Sequence, residues 1–504
     1  MTDKIRKLLA SVLAIVCATG FGSCSGKETD PVPPDYSDSE HQMRLYAYYG
    51  PTDGTWRQQD KQYSAGQDFR TVERYKEYLD AGLNAFMMGG QDSAVYHYGI
   101  DWETSDAKMI MDRAYEAGIQ EIFVMDSRLR GISATSGGVV GPGKMFETEA
   151  DLDAEIAKCM AAYRDHPAFY GVLLHDEPQY TQLKSVGEVY RSVKRVCPEA
   201  KAHCNLWPPA ESSIGTWLPA GDDPDNPYDL ETAWKAYLRM FVEETGADYV
   251  QYDHYPFQPN EISAGYIRGM QMTAEVAAEM DVDFYQTTQT FAMYSNGDLY
   301  NRQMTADDAY FLQNLSLGFG VKEIAYYSYW TYANNPPGET YCIDGASFVT
   351  HMGVKTDMYY FMQQINKEIQ KFAPVIMNFD YHASTYFAKP PVNYNNSHVT
   401  HPGAYGMEKN DLEKVTSVLP DKETVLVTEL KDESKGNYMY MVLNIVDPSK
   451  AEGSSADIAA EVTFSDEYTH VAVYEKGERT LHKLSDGKYT VTVKPGHAQY
   501  LLPY

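Results

Sequence analysis

The chain has 504 residues, with 71 acidic against 42 basic side chains and a formal net charge of -29 at pH 7. An acidic excess of that size repels polyanions. It argues against nucleic acid and anionic membrane surfaces as partners and mildly disfavours strongly acidic polysaccharides.

In chain order, the first element is a targeting segment. Lys4, Arg6 and Lys7 precede an apolar run from Leu8 to Val16, and small residues follow up to Cys24. The run is too short to span a bilayer and reads as a signal peptide. Gly22-Ser23-Cys24 resembles the end of a bacterial lipoprotein signal, with Phe21 where Leu is usual. The resemblance implies a lipidated Cys24 and an exported, outer-membrane protein; the plainer alternative is a cleaved signal and a free periplasmic protein. Ser25 to Glu40 is rich in Asp, Glu, Ser and Pro, the composition of a flexible tether. No later stretch is long and apolar enough to cross a membrane. Cys159, Cys197, Cys204 and Cys342 show neither CxxC nor zinc-like spacing and read as buried thiols, with a Cys197–Cys204 bridge left open.

Residues 41–376 alternate short apolar runs with amphipathic stretches. Strands are expected at Arg44–Tyr49, Ala85–Gly89, Glu121–Asp126, Tyr170–His175, Ala202–Leu206, Tyr249–Asp253, Asp283–Thr288 and Glu323–Ser328. Gly82, Gly118, Gly246 and Gly320 stand where the intervening helices should stop, and the last helix should run Thr356–Phe372. No Gly-rich phosphate loop follows the first strand, so eight such units specify an α/β fold of the (β/α)₈ barrel type rather than a doubly wound sheet. Beyond residue 376 the pattern becomes strand and turn, as in a C-terminal antiparallel β-sandwich over 377–504, with a turn-rich loop from Asn393 to Met407.

Strand four carries the most informative run, Phe169-Tyr170-Gly171-Val172-Leu173-Leu174-His175-Asp176-Glu177-Pro178. It ends in two adjacent carboxylates. Burying such a pair is costly and raises one pKa, leaving a protonated acid beside an ionised neighbour. The bland alternative is a strand end whose carboxylates cap the next helix. In such barrels sites lie at the carboxyl ends of strands, which here gather Tyr48 and Trp56, Asp126, His175-Asp176-Glu177, Asn205 and Trp207, Asp253-His254-Tyr255, Gln286 to Gln289, and Tyr329 with Trp330. Carboxylates hydrolyse glycosidic bonds, aromatic rings stack on sugars, and amides and His bind hydroxyls. The 42 tyrosines suit a sugar-binding surface. Singly, Trp207 and Trp330 could be packing residues and His254 a core histidine.

Strand four with Asp-Glu-Pro resembles the Asn-Glu-Pro of clan A glycoside hydrolases. The resemblance implies Glu177 as acid/base and Asp176 in place of the Asn that touches the sugar 2-hydroxyl. Ile324 to Trp330 resembles strand eight of that clan, whose aromatic lines the subsite of the cleaved sugar. The clan's nucleophilic Glu closes strand seven, yet Asp283 to Phe291 offers only Gln286 and Gln289 there. Three readings stay open. In one, resembling family 20 and family 123 hexosaminidases, Asp176 orients the substrate's 2-acetamido group, Glu177 protonates the leaving oxygen and Tyr255 bonds the amide oxygen. In the second, Glu177 is the acid of an inverting enzyme and Asp253 or Asp126 activates water. In the third, the barrel is a non-catalytic glycan-binding lipoprotein. A metal-dependent hydrolase is the weakest alternative, because His175 and His254 lie in no HxH or HExxH spacing. The expected partners are a carbohydrate and, through Cys24, a bacterial membrane. No metal or cofactor is implied.

Overall fold

The computed structural model describes residues 31–53, 67–88, 96–97, 99–263, 265–295, 298–331, 347–389, 407–450 and 453–504. The signal segment with Cys24, together with Trp56, Cys342 and nearly all of the Asn393–Met407 loop, lies outside them. No described helix is long and apolar enough to cross a membrane.

The first half alternates strands and helices: β1 (Arg44–Ala47), α1 (Val72–Asp80), β2 (Phe86–Met87), α2 (Asp106–Ala117), β3 (Ile122–Met125), α3 (Ser127–Ser133), α4 (Glu149–Met160), β4 (Phe169–Asp176), α5 (Leu183–Val196) and β5 (Lys201–Asn205). It continues with α6 (Leu230–Thr245), β6 (Tyr249–His254), α7 (Tyr266–Met280), β7 (Asp283–Gln289), the hairpin β8 (Met293–Ser295) and β9 (Asp298–Asn301), α8 (Ala306–Gly318), β10 (Val321–Tyr327) and α9 (Asp357–Ile376). Side-chain N-caps start most helices: Thr71, Ser105, Thr148, Asp229 and Thr305 each accept from a backbone N–H of the first turn. Gly118 and Gly246 end α2 and α6 in the left-handed conformation that glycine adopts freely. Helix α9 runs past the expected end at Phe372 and takes in Pro374. Asn378 Nδ2 donates to Pro374 O at 2.8 Å, so a carbonyl of the last turn keeps a partner.

The parallel strands form two four-stranded sheets, β2-β3-β4-β5 and β1-β10-β7-β6. Their edges meet twice. Leu206 N–H donates to Gln251 O at 2.9 Å, and Asn84 N–H donates to Leu45 O at 2.9 Å. Tyr46, Tyr48, Met87, Phe123, Met125, Leu173 and Ala325, drawn from both sheets, pack into one inner cluster. The opposite faces lie under the helices, so alternate residues of every strand look inward or outward.

After α9, β11 (Asp380–Ala388), β12 (Val415–Pro420), β13 (Thr424–Asp432), β14 (Asn437–Asn444), β15 (Ile458–Phe464), β16 (His470–Glu475), β17 (Glu478–Lys483), β18 (Lys488–Val493) and β19 (Ala498–Pro503) pair antiparallel. They make a six-stranded sheet, β11-β13-β14-β19-β16-β17, and a three-stranded sheet, β12-β15-β18. Val427, Tyr440 and Val442 of the first share a core with Val462 and Val491 of the second. The six-stranded sheet also meets α9, where the Phe372 ring lies 5.1 Å from Tyr474 and 5.0 Å from Tyr500.

Two expectations are corrected here. Cys197 and Cys204 are free thiols, the first capping α5 and the second buried within β5, so no bridge joins them. The expected tether is not loose throughout: Tyr36 is 5% exposed, donates to Asp432 Oδ2 at 2.8 Å and lies under Lys435 Nζ.

Candidate active site

The carboxyl end of β4 is shaped by a bulge. Leu173 pairs with His203, but the next partners are His175 with Cys204 and Asp176 with Asn205, so β4 holds one residue more than β5. A bulge reverses which side chains face a given side of the sheet. Without it Leu173 and His175 would both look inward. With it Asp176 turns in beside Asn205, and His175 turns out to α3, where its Nδ1 lies 3.0 Å from Ser133 Oγ. Burial holds the His175 ring down to about 4, and the Arg130 charge pushes the same way, so it is a neutral packing residue.

Glu177 follows in the left-handed region at φ 53, a conformation costly for a residue with a Cβ and concentrated at functional sites. Its loop is held on several sides. Glu177 N–H donates to Asn205 O at 2.7 Å, Tyr180 N–H to Trp217 O at 2.8 Å and Gly137 N–H to Thr181 O at 2.9 Å. The Tyr237 hydroxyl donates to Pro178 O.

Asp253, 4% exposed, looks inward from the end of β6. Asn205 Nδ2 donates to Asp253 Oδ1 at 3.0 Å and to Asp176 Oδ1 at 3.3 Å. Tyr255 follows one residue beyond β6 and acts with Asn205 to favour the ionised form of Asp253. Burial pushes the Glu177 carboxyl far above the ordinary carboxylate range, and the charges of Asp253 and Asp176 push it the same way. Burial raises Asp253 and Asp176 as well, but each has a donor in Asn205 that favours the ionised form. Of the three carboxyls, Glu177 is therefore the one that keeps its proton.

Aromatic rings flank this cluster. Tyr255 stacks on Tyr327, with centroids 5.4 Å apart and planes at 28°, and Phe291 stands edge-on to both. Tyr48 lies 5.9 Å from Tyr327 and sets its hydroxyl 3.4 Å from His203 Nε2. On the loop after β5, Trp207 stacks on Trp217 at 4.4 Å and 24°, and its Nε1–H donates to Ser213 Oγ at 2.7 Å.

Strand alternation removes several expected residues from this group. Asp126 looks outward, where Arg128 and Tyr163 take its carboxylate and it caps α3. His254 looks outward to Tyr266 and Ser263, and burial lowers it to about 4. Gln286 is wholly buried on the outer face of β7. Gln289 faces inward, but its amide holds the backbone of Phe257, Phe291 and Arg302. Trp330, 1% exposed, packs on Phe69 at 5.0 Å as part of the core. Tyr327 occupies the aromatic position on β10 instead.

The structure also adds residues. Thr287 is the inward side chain of β7 at this level, with its hydroxyl 3.2 Å from Asn205 Oδ1. Arg130, exposed on α3, is the positive charge acting on both Asp176 and Glu177. Thr287 could have been found by counting two residues at a time along β7, as Asp253 could along β6. Nothing in the sequence brings Trp217 to Trp207 or Arg130 to the carboxylates.

No protein-family model matches the chain, and no curated protein matches it. Among solved structures, an α-amylase from Anoxybacillus aligns at 8% identity over 92% of this chain and 97% of its own, with a TM-score of 0.48. A GH27 β-L-arabinopyranosidase from Geobacillus stearothermophilus aligns at 8% identity over 93% and 97%, with a TM-score of 0.47. Likeness at that level says nothing of what this chain does.

Proposed function

We propose that this chain is a glycoside hydrolase whose general acid is Glu177, built on one (β/α)₈ barrel formed by the two parallel sheets and closed by a C-terminal β-sandwich. The observation that carries the reading is the carboxyl cluster: Glu177 kept protonated at neutral pH beside Asp253 and Asp176, both held by Asn205. A buried acid that keeps its proton at pH 7 is what protonation of a glycosidic oxygen requires. The Tyr255–Tyr327 and Trp207–Trp217 stacks suit the flat faces of sugars.

The carboxyl end of β7 favours one mechanism. Two-carboxylate hydrolases separate the groups by roughly 5 to 5.5 Å for retention or roughly 6.5 to 9.5 Å for inversion. The inward residues there, Thr287 and Gln289, are not carboxylates, so β7 offers no second acidic group to either arrangement. A nucleophile supplied by the substrate removes that need, so the preferred substrates are N-acetylhexosaminides. Glu177 gives its proton to the leaving oxygen as the bond from that oxygen to the anomeric carbon breaks. The acetamido oxygen, oriented by Asp176, bonds the same carbon to form an oxazolinium. Glu177, now ionised, takes a proton from the water that opens this ring. The reading extends to an exported, lipid-anchored protein through Cys24.

Aryl N-acetylhexosaminides of gluco and galacto configuration, tested against the matching hexosides, decide the matter. Turnover of the acetamido substrates alone, lost in Glu177→Gln, is expected. Turnover of plain hexosides overturns the acetamido route, and failure to cleave or bind any glycan overturns the hydrolase reading.

A further inference from the structure

Asn205 is the hub of the site, and an amide has two possible orientations. With its amino group toward Asp176 and Asp253 it donates to both. Flipped, it would set a carbonyl oxygen against two carboxylates. Something must choose between these, and the choice lies in a buried chain of donors below it. Gln251 Nε2 donates to Thr287 Oγ1 at 3.0 Å, and Thr287 Oγ1 donates to Asn205 Oδ1 at 3.2 Å. A hydroxyl has a single hydrogen. Because Thr287 already accepts from Gln251, that hydrogen is free to point at Asn205. Gln251 is oriented in turn by Tyr46, whose hydroxyl accepts from Nε2 at 3.2 Å. Gln251 and Thr287 are almost wholly buried, at 0% and 1% exposure, so no solvent competes for these bonds.

We infer that Thr287 and Gln251 are positioning residues: acting only through Asn205, they fix its amide so that both amino hydrogens hold Asp176 and Asp253. The chain crosses between the two parallel sheets, since Asn205 is on β5 while Thr287 and Gln251 are on β7 and β6. It therefore links the relative placement of the two carboxylates to the join between the sheets. Strand seven, which has no carboxylate at its carboxyl end, contributes the hydroxyl that orients the site. The inference rests on the hydrolase reading for its kinetic consequence, but not for its effect on the carboxylates.

The ionisable groups facing Asp253 are Asp176 and Glu177 from the end of β4, Tyr48 from β1, Tyr252 and Tyr255 from β6 and Tyr237 from α6. None of them is a cation. The bond from Asn205 favours ionised Asp253, so loosening Asn205 moves the Asp253 pKa upward.

The test uses Thr287→Val, which keeps the shape and removes the hydroxyl, with Thr287→Ser as the conservative control and Gln251→Met as an independent break one step lower. Carboxyl titration of ¹³C-labelled Asp by NMR, assigned with Asp253→Asn, reads the site without any substrate. In Thr287→Val the Asp253 titration should move to higher pH, kcat should fall about 10- to 100-fold with KM within twofold, and the acidic limb of kcat/KM should move up in pH. Thr287→Ser should return all three to near wild type. Gln251→Met should shift the titration in the same direction, which decides the matter if Thr287→Val does not fold. An unmoved Asp253 titration in the folded variants, whatever their thermal stability, overturns the inference. A moved titration in a protein that cleaves no glycoside upholds the positioning role and sinks the hydrolase reading instead.

Discussion

Replacing Glu177 with Gln should separate chemistry from folding, and the structure gives the sign of both effects. The wild-type carboxyl is neutral at pH 7. Gln is also neutral and has nearly the same shape, so folding and sugar binding should survive. What is lost is the transferable proton, worth about 10² to 10⁴ in rate on a substrate with a poor leaving group. The stability effect runs opposite to that of most buried substitutions. A carboxyl whose folded pKa is raised binds its proton more tightly folded than unfolded, so stability falls as pH rises above the unfolded value of about 4.3. At about 1.36 kcal/mol per unit, the cost at pH 7 reaches at most about 4 kcal/mol, and Gln escapes it. Thermal melts of both proteins from pH 4 to pH 8 should therefore show the variant level with wild type at pH 4 and more stable at pH 7 to 8, while hydrolysis of an alkyl glycoside collapses at every pH. A variant within twofold of wild-type activity refutes the acid assignment. A variant that melts well below wild type at pH 7 refutes the protonated state of Glu177.

The remaining expectations address the second carboxylate, the rim charge, the aromatic platform and the address. Asp176→Asn should reduce turnover almost as much as Glu177→Gln, and a thiazoline analogue should inhibit strongly; if Asp253→Asn is the worse change and the thiazoline has no effect, Asp253 is a base and the acetamido route is wrong. Arg130→Gln removes the charge that favours ionised Asp176 and Glu177, so the acidic limb of kcat/KM should move to higher pH, and an unchanged limb excludes that influence. Trp217→Ala, by removing the ring on which Trp207 stacks, should raise KM by about 2- to 10-fold with a smaller effect on kcat, on the order of the 0.5 to 1.5 kcal/mol that an aromatic pair contributes; equal KM values show that the stack only packs. Cys24→Ala should release an active protein into the soluble fraction, and a wild type that takes up no palmitate analogue is not a lipoprotein.

How far the site was legible follows from which physical rule sets each residue. Strands β5, β6 and β7 carry polar residues and are located by the strand–helix rhythm, while β3 and β4 announce themselves because they are buried on both faces and read as continuous apolar runs. In the C-terminal part, β13 and β14 are visible for the same reason. Strand β17, Glu-Arg-Thr-Leu-His-Lys, is an exposed edge with almost no apolar signal, and β12 ends in a proline that reads as a breaker, so neither stands out in the sequence as a strand. Strand ends could be located but not their facing. Counting by twos from Gln251 on β6 and from its partner Tyr285 on β7 separates Asp253 from His254 and Thr287 from Gln286, because the period of a strand is fixed. The same count fails at β4, where it would put His175 inward and Asp176 outward. The bulge between Leu173 and His175 reverses the parity, and a bulge is set by the pairing with β5, which no local pattern encodes. The residues around it show the cost of that reversal: the extra residue in β4, and Glu177 at φ 53 immediately after it. A regular β4 would keep the same ten residues and the same apolar run and yet present an imidazole where the carboxylate now stands. The adjacent Asp-Glu pair is therefore only half of the signal, and the register slip that turns Asp176 toward Asn205 and Asp253 is the other half.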